Sequence, residues 1–418
     1  SAAAPDLWKM PYAVIPFLSD YSIVPSKYKR NMISRIKMIA GMNIMETRLP
    51  QDGAIKSKIG ERFLDLRVSS LPTNNAEKIV IRILDYSMSL AGLDNLGFSE
   101  DAMEKINRLI KIPNGIILVT GATGTGKSTT LYSILQKLNT EEVNIITVED
   151  PVEMDIEGIN QVQTQSEIGL TFATILRSIL RQDPNIIMIG EIRDDETARI
   201  AVRASITGHL VLSSLHTNNS LNTIERLTDM DVERYLLGSS LEGIISQRLA
   251  RKLCPNCMIK RQTTEYEKQV FKTVIGKDIN EMYVANKEGC PRCNHGYRGR
   301  LAILEVLIMN EKIKDAITNN APKHVLRDLV YTGEVVTLLQ DGLNKVVEGE
   351  TSFEEILKIV DLENDMTAYK DDNLVANLKM AQKAHSIKET PQQPTPQVTQ
   401  QVQQINNQIP NNVETVEF

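Results

Sequence analysis

The sequence predicts an α/β protein in which a parallel sheet, covered by helices on both faces, follows a small α+β domain. Three observations carry that prediction. The apolar run Gly115-Ile-Ile-Leu-Val-Thr120 leads into a glycine-rich turn, after which Leu131, Ile134, Leu135 and Leu138 recur at helical spacing, a strand–loop–helix unit. Three further short apolar runs, at 144–148, 185–189 and 210–214, alternate with helix-length segments, as buried parallel strands do. Upstream, 62–69 alternates with Leu64, Leu66 and Val68 on one face, and 78–84 is a second strand joined to it through the turn-forming Pro72-Thr-Asn-Asn75.

Taken in order, the chain divides as follows. Residues 1–85 form the small domain. In it Trp8, Tyr12, Ile15, Phe17 and Tyr21 are apolar anchors among prolines that interrupt regular elements. Met32, Ile33, Ile36, Met38 and Ile39 then give a helix its buried stripe. Residues 86–98 read as a linker of little periodicity. Ser99 caps the helix that opens the core of 99–250, with acidic residues in its first turn. Residues 251–300 contain all four cysteines, and 301–365 carry helices marked by Ile313, Ile317, Leu326, Val330, Leu339 and Leu343. From 366 the chain is a tail, proline-, glutamine- and asparagine-rich and expected to be disordered from about residue 390, because it has too little apolar surface to offset the entropy of ordering.

At 418 residues, 42% hydrophobic and 24% charged, the chain has the composition of a soluble globular protein. A formal charge of −6 argues against nucleic acid as a partner, which needs a concentrated basic face. No apolar run approaches the roughly 18 residues that span a bilayer, and Ser1-Ala-Ala-Ala-Pro5 lacks the basic region and apolar core of a secretory signal.

The turn after the first strand is Gly121-Ala122-Thr123-Gly124-Thr125-Gly126-Lys127-Ser128-Thr129, which satisfies G-x-x-x-x-G-K-[ST] between a strand and a helix. Its glycines let backbone N–H groups face phosphates, Lys127 places a cation on the β- and γ-oxygens of ATP, and Ser128 offers a hydroxyl to Mg2+. The second run ends in Glu149-Asp150 and the third in Gly190-Glu191. Carboxylates at such strand ends are where phosphoryl transfer needs Mg2+ contacts and a group to orient water. Glu191 is the first candidate for activating water, followed by Glu149 and Asp150. His209 and His216 bracket the fourth run, and a histidine can bond a γ-phosphate oxygen or a neighbouring carboxylate. Arg177 and Arg181 lie four apart on one helical face, while Arg67 and Arg82 lie in the strands of the small domain. A guanidinium can neutralise charge on a transferring phosphate. Cys254-Pro-Asn-Cys257 and Cys290-Pro-Arg-Cys293 form two C-x-x-C knuckles that can supply a tetrahedral thiolate site for structural Zn2+. The long stretch between them is expected to form a protruding subdomain with 262–283 looped out.

Together these motifs resemble the hexameric ATPases that drive type II secretion and type IV pilus extension, the GspE/PilB family. The matching stretches are Gly121 to Ser128, Ile146-Thr-Val-Glu-Asp-Pro-Val-Glu153, Leu180 to Asp194, Gly208 to Thr217, Gln247-Arg-Leu-Ala-Arg-Lys-Leu-Cys254 and the second knuckle with Gly296-Tyr-Arg-Gly-Arg300. Upstream, Ile33-Ser-Arg-Ile-Lys37, Leu49-Pro-Gln-Asp-Gly53 and Asp65-Leu-Arg-Val-Ser69 match too. The resemblance implies a RecA-like P-loop ATPase domain after a small PAS-like domain, an inserted zinc subdomain, and assembly as a homo-hexamer. ATP would sit between the two domains, with Arg67 and Arg82 from the smaller and Arg177 and Arg181 from the larger closing over the phosphates. It further implies a cytoplasmic motor at the inner face of the cell membrane, held there by an inner-membrane platform protein, that powers type IV pilus assembly, or alternatively pseudopilus growth in type II secretion. A nucleic-acid-dependent RecA-type ATPase is the more distant alternative. Family members ordinarily carry an additional N-terminal docking domain, and residues 1–30 lack the R-x-R-x-D-G strand, so the expectation is a chain without that domain.

Overall fold

The computed structural model describes residues 7–14, 17–59, 62–74, 76–85, 92–331 and 335–360. The tail expected to be disordered and residues 86–91 of the linker lie outside them. The chain begins with an antiparallel hairpin, β1 (Leu7–Val14) and β2 (Phe17–Pro25), whose register shifts between Met10 and Pro11. A proline without an N–H is tolerated there because both strands of a two-stranded ribbon are edges.

Helix α1 (Lys29–Ile39) follows, then an antiparallel sheet of β3 (Gln51–Ile59), β4 (Arg62–Thr73) and β5 (Ala76–Asp85) in that order. The stripe expected on α1 is corrected. Met38 and Ile39 are about half exposed, at 53% and 48%, and the face that packs inward carries Ile33 and Lys37. Lys37 is buried because its ammonium is paired: it donates to the Glu77 carboxylate at 2.5 Å and to the Glu46 carbonyl at 2.6 Å, while Ser70 holds the same carboxylate at 2.9 Å. A periodicity count scores a lysine as polar and cannot see a partner 40 residues away.

The larger body is built on a seven-stranded sheet in the order β14-β11-β6-β10-β9-β7-β8. Its members are β6 (Gly115–Thr120), β7 (Ile145–Glu149), β8 (Asn160–Gln163), β9 (Ile186–Ile189), β10 (Leu210–Leu215), β11 (Leu241–Leu253) and β14 (Tyr297–Ile308). All neighbours are parallel except β11 and β14, so the sheet is mixed, with an antiparallel edge strand. The interior strand β6 sends Ile116 and Leu118 into one core and Ile117 and Val119 into the other. This is the alternation of a strand buried on both faces.

Helices α2 (Glu100–Leu109), α3 (Lys127–Leu138), α4 (Phe172–Ile179), α5 (Asp195–Ile206), α6 (Ser220–Asp229) and α7 (Arg234–Ser240) cover the sheet. Ser99 caps α2 as the sequence predicts, its side chain accepting from the Ala102 N–H. The segment between the knuckles folds as β12 (Ile259–Gln262), α8 (Glu265–Ile275) and β13 (Glu281–Val284). Helices α9 (Glu311–Thr318), α10 (Lys323–Tyr331), α11 (Leu338–Val347) and α12 (Phe353–Ile359) complete the described chain. Val270 and Phe271 of α8 share one apolar cluster with Leu339, Leu343 and Ile356 of α11 and α12.

Removing one partner of a buried ion pair leaves the other charge uncompensated. Lys37→Ala is therefore expected to lower the unfolding free energy of the small domain by about 3 kcal/mol. A urea titration read on the α1 and β3–β5 amides by hydrogen exchange checks this.

Candidate functional site: a phosphate loop at the sheet's carboxyl edge

In a parallel sheet the strand ends of one sense converge on one edge, and ligands sit there. Here β6, β7, β9 and β10 deliver Gly121, Glu149, Glu191 and His216 to that edge. The loop after β6 turns through three glycines with left-handed backbones: Gly121 at φ 151°, Gly124 at 81° and Gly126 at 88°. Two of them are also sterically required. A Cβ on Gly121 would lie 2.5 Å from the Gln247 carbonyl and from Thr125 Oγ1, and one on Gly126 would lie 2.8 Å from Gln247 Nε2. A Cβ on Gly124 would meet nothing within 4 Å, so the loop is open on its outer side. Helix α3 starts at Lys127 with no side-chain cap on its N-terminal N–H groups, the arrangement that accepts an anion.

Lys127 is folded over the loop. Its Nζ donates to the carbonyls of Gly121 at 2.9 Å and Ala122 at 3.1 Å. Burial pushes its ammonium below the ordinary lysine range, with the charge of Glu191 opposing that shift. Ala122, Thr123, Gly124 and Ser128 are exposed and Thr129 half-buried, so the loop's face and the hydroxyl that would hold a magnesium ion are open to solvent.

Glu191 meets His216 Nε2 at 3.2 Å and Arg193, which also reaches Asp150 at 3.3 Å. Burial would raise its carboxyl, but the hydrogen bond and charge of Arg193 and the proximity of His216 outweigh this and leave it below the ordinary glutamate range. It is an ionised base facing the same edge as Lys127. Glu149 is differently placed. It is 3% exposed and receives hydrogen bonds from Tyr132, from Thr147 at 2.5 Å and from Gln161 at 3.1 Å. The Tyr132 hydroxyl, pushed far above the usual tyrosine range first by burial and then by Glu149, also accepts from the Glu153 N–H at 3.0 Å.

His209 is not brought to the loop. It precedes β10 at the opposite edge of the sheet, where its carbonyl accepts from the Gly115 N–H at 3.2 Å and its Nδ1 lies 2.8 Å from the Ala204 carbonyl. Arg177 of α4 pairs with Glu196 of α5, and Arg181 donates to the Arg177 carbonyl at 2.7 Å. In this chain both are engaged on the outside of the sheet rather than at the loop. Arg67 and Arg82 face each other directly in the β4–β5 register, and Arg67 reaches Asp65 at 3.4 Å and Glu153 at 3.7 Å.

Sequence reasoning passed over Gln247. Its Nε2 donates to the Thr125 carbonyl at 2.8 Å and its Oε1 accepts from Thr130 at 2.7 Å, bracing the loop and the first turn of α3. The signal available was a polar Ser246-Gln247-Arg248 directly after the apolar Ile244-Ile245.

The four cysteine sulfurs all lie within 4.8 Å of one another, with Cys254 to Cys290 at 3.8 Å and Cys257 to Cys293 at 3.5 Å. A zinc tetrahedron with bonds of about 2.3 Å has edges of about 3.8 Å, whereas a disulfide needs about 2.05 Å. Burial opposes ionisation of Cys293, but the Cys290 N–H and neighbouring thiols pull it down to about 7, while burial pushes Cys257 up to about 12. The donor set fits a metal that takes thiolates.

A buried parallel strand, glycine loop and helix N-terminus with a lysine in the loop and an ionised glutamate at the end of the strand two places away define a P-loop nucleotide-binding protein. The profile of the family "Type II/IV secretion system protein" matches residues 14–358, and the chain belongs to that family. It is 48% identical over 335 residues to "Putative type II secretion system protein E" of Escherichia coli K12, covering 78% of this chain and 66% of the relative. It is 45% identical over 339 residues to "Type II secretion system ATPase E" of Vibrio cholerae, covering 81% and 67%. The chain thus spans about two thirds of the length of these relatives. The ATPase DotB of Legionella pneumophila shares the fold, with a TM-score of 0.58 at 20% identity over 82% of this chain and 86% of that one. No helix among the described residues is long and apolar enough to cross a membrane.

Leaving a buried acceptor without its donor costs about 1–3 kcal/mol. Tyr132→Phe, which strips Glu149 and the Glu153 N–H of one partner each, is expected to destabilise the larger body by about 2 kcal/mol in urea unfolding.

Proposed function

We propose that this chain hydrolyses Mg-ATP as one subunit of a homo-hexameric ring and that the ring powers pseudopilus growth in type II secretion. The observation that carries the reading is the Glu191 carboxylate, held ionised by Arg193 and His216 while its charge is felt by Lys127 across the phosphate loop. Relatives named for type II secretion support that system over type IV pilus extension.

In this reading the phosphates displace the Gly121 and Ala122 carbonyls from Lys127 and take its three N–H donors. Ser128 would hold a magnesium ion, with Asp150 as a further candidate ligand, and the ion would supply charge neutralisation. Glu191 orients water and takes its proton onto the ionised carboxylate as the water attacks, then gives it up again to solvent because it is a weak base. His216 reports the γ-phosphate by exchanging its contact with Glu191. Glu149, buried and held by three donors, is less available to a water than Glu191 and fixes Tyr132 and the acidic turn that ends in Glu153. Arg67 and Arg82 are like charges directly opposite one another, and Arg67 already draws the Glu153 carboxylate to the pair, an affinity for anions that supports their closing over the phosphates. The exposure of Arg177 and Arg181 supports a role across a subunit boundary. The helix and three antiparallel strands of the small domain support a PAS-like assignment, and the inner-membrane platform protein and peripheral membrane position belong to the same proposal.

If Glu191 activates water, Glu191→Gln lowers steady-state phosphate release by about 100-fold or more with nucleotide affinity within about threefold. Equal rates would remove Glu191 from the reaction. Metal analysis is expected to find one zinc per chain. Cys254→Ser should release it and melt the 251–300 segment by several kcal/mol, while a fluorescent ATP analogue still binds.

A further inference from the structure

Glu305 is the one acidic residue in the apolar run Leu301 to Ile308 of β14, and its residue is 0% exposed. One carboxyl oxygen, Oε1, accepts from the Ser220 N–H at 2.9 Å, and Oε2 has no hydrogen-bond partner among the described residues. A buried carboxyl half-satisfied in this way is unfavourable for folding alone, so its position asks for another explanation.

Ser220 is the first residue of α6 and stands four residues after His216, the side chain that touches Glu191. The intervening loop is anchored on both sides. Arg248 Nη2 donates to the Asn218 carbonyl at 2.9 Å and to its side chain at 3.1 Å, and Thr217 and Thr223 share a hydrogen bond of 2.6 Å. Directly across from Glu305 in the β11–β14 register lies Ser246, whose hydroxyl meets Thr120 Oγ1 at 3.0 Å and Ser220 Oγ at 3.4 Å. Thr120 is the last residue before Gly121. A buried polar row thus runs Glu305, Ser220, Ser246, Thr120, beneath both the histidine loop and the phosphate loop.

We infer that Glu305 is a positioning residue for ATP turnover: by accepting the Ser220 N–H it sets the height of the His216 loop against the phosphate loop, and so the contact between His216 and Glu191. Burial, opposed by Ser220 and then Arg248, pushes its carboxyl above the ordinary range, so a neutral group of the same shape should serve. The inference rests on the hydrolytic reading above.

The test uses the full chain, with phosphate release and binding of a fluorescent ATP analogue measured in parallel. Glu305→Leu is expected to lower kcat by about tenfold or more, the scale on which small misplacements act, with ATP affinity within about threefold. Glu305→Gln, whose amide oxygen accepts the same bond, is expected to stay within about threefold of wild type. Ser220→Pro removes the donor at a first helical position that tolerates proline and should match Glu305→Leu. Ser220→Ala keeps the N–H but loses the hydroxyl, which also bonds Glu305, and should lower kcat less than Ser220→Pro. The double variant Glu305→Leu with Ser220→Pro should lose no more than either alone. Folded Leu and Pro variants with wild-type kcat, or a Gln variant no better than Leu, would overturn the assignment. If Glu305→Leu does not fold, the Ser220 pair decides it alone. A wild-type chain that releases no phosphate overturns the hydrolytic reading itself, whereas an active wild type with unaffected variants overturns only the role of Glu305.

Discussion

The phosphate loop holds its shape only because a neighbouring strand crowds it. Gly121 and Gly126 adopt left-handed backbones against Gln247, and the Gln247 side chain then takes up the Thr125 carbonyl that the tight turn would leave buried without a donor. Loop and strand therefore specify each other. Glycine is needed where the strand approaches, and a two-headed amide is needed where the loop presents a carbonyl on one side and the Thr130 hydroxyl on the other. Burying β6 between two parallel neighbours, β10 and β11, makes that approach possible.

The same edge separates two glutamates by environment rather than by distance along the chain. Glu149 is buried at the end of β7 and takes donors from Tyr132 of α3, from Thr147 of its own strand and from Gln161 of β8. Glu191 sits one strand nearer the loop, partly exposed, between an arginine and a histidine. Identical side chains near strand ends are thus placed in different environments, one buried and tying Tyr132 of α3 to the acidic turn, the other partly exposed and held ionised.

How much of this was legible in the sequence depended on whether the deciding contact was local. The bounds of β6 agree with the predicted run because glycine flanks it on both sides, and Ser99 reads as a cap because a cap bonds three residues ahead. Lys37 did not read as core, since its partner Glu77 arrives through tertiary folding. β8 escaped because Asn160-Gln-Val-Gln163 is a polar edge strand without period. The long strands β11 and β14 escaped because Ser246, Gln247, Arg248 and Glu305 interrupt their apolar runs. His209 was grouped with His216 from their closeness in sequence, but they flank the two ends of a six-residue strand, and those ends lie at opposite edges of the sheet. The two arginine pairs were legible as residues but their contacts were not, because Glu196 and Glu153, which meet Arg177 and Arg67, are brought near only by the fold.

Strand β11 carries the last step. It braces the phosphate loop at Gln247, holds the histidine loop at Arg248 and ends at Leu253, beside Cys254 of the first knuckle. Seven residues of extended chain cover about 23 Å, and over that length β11 is paired with β14, which returns from the second knuckle to Glu305. Arg251 adds a stack on the Tyr297 ring and a bidentate pair with Glu355 of α12 at 2.8 and 2.6 Å, so the ribbon is clamped midway. A clamped two-stranded ribbon transmits displacement along its axis better than it bends. The cysteine subdomain is therefore fastened to the nucleotide site through main chain and not through a flexible tether, and a change in the loop that moves the Thr125 carbonyl must be absorbed at Gln247 or passed along β11.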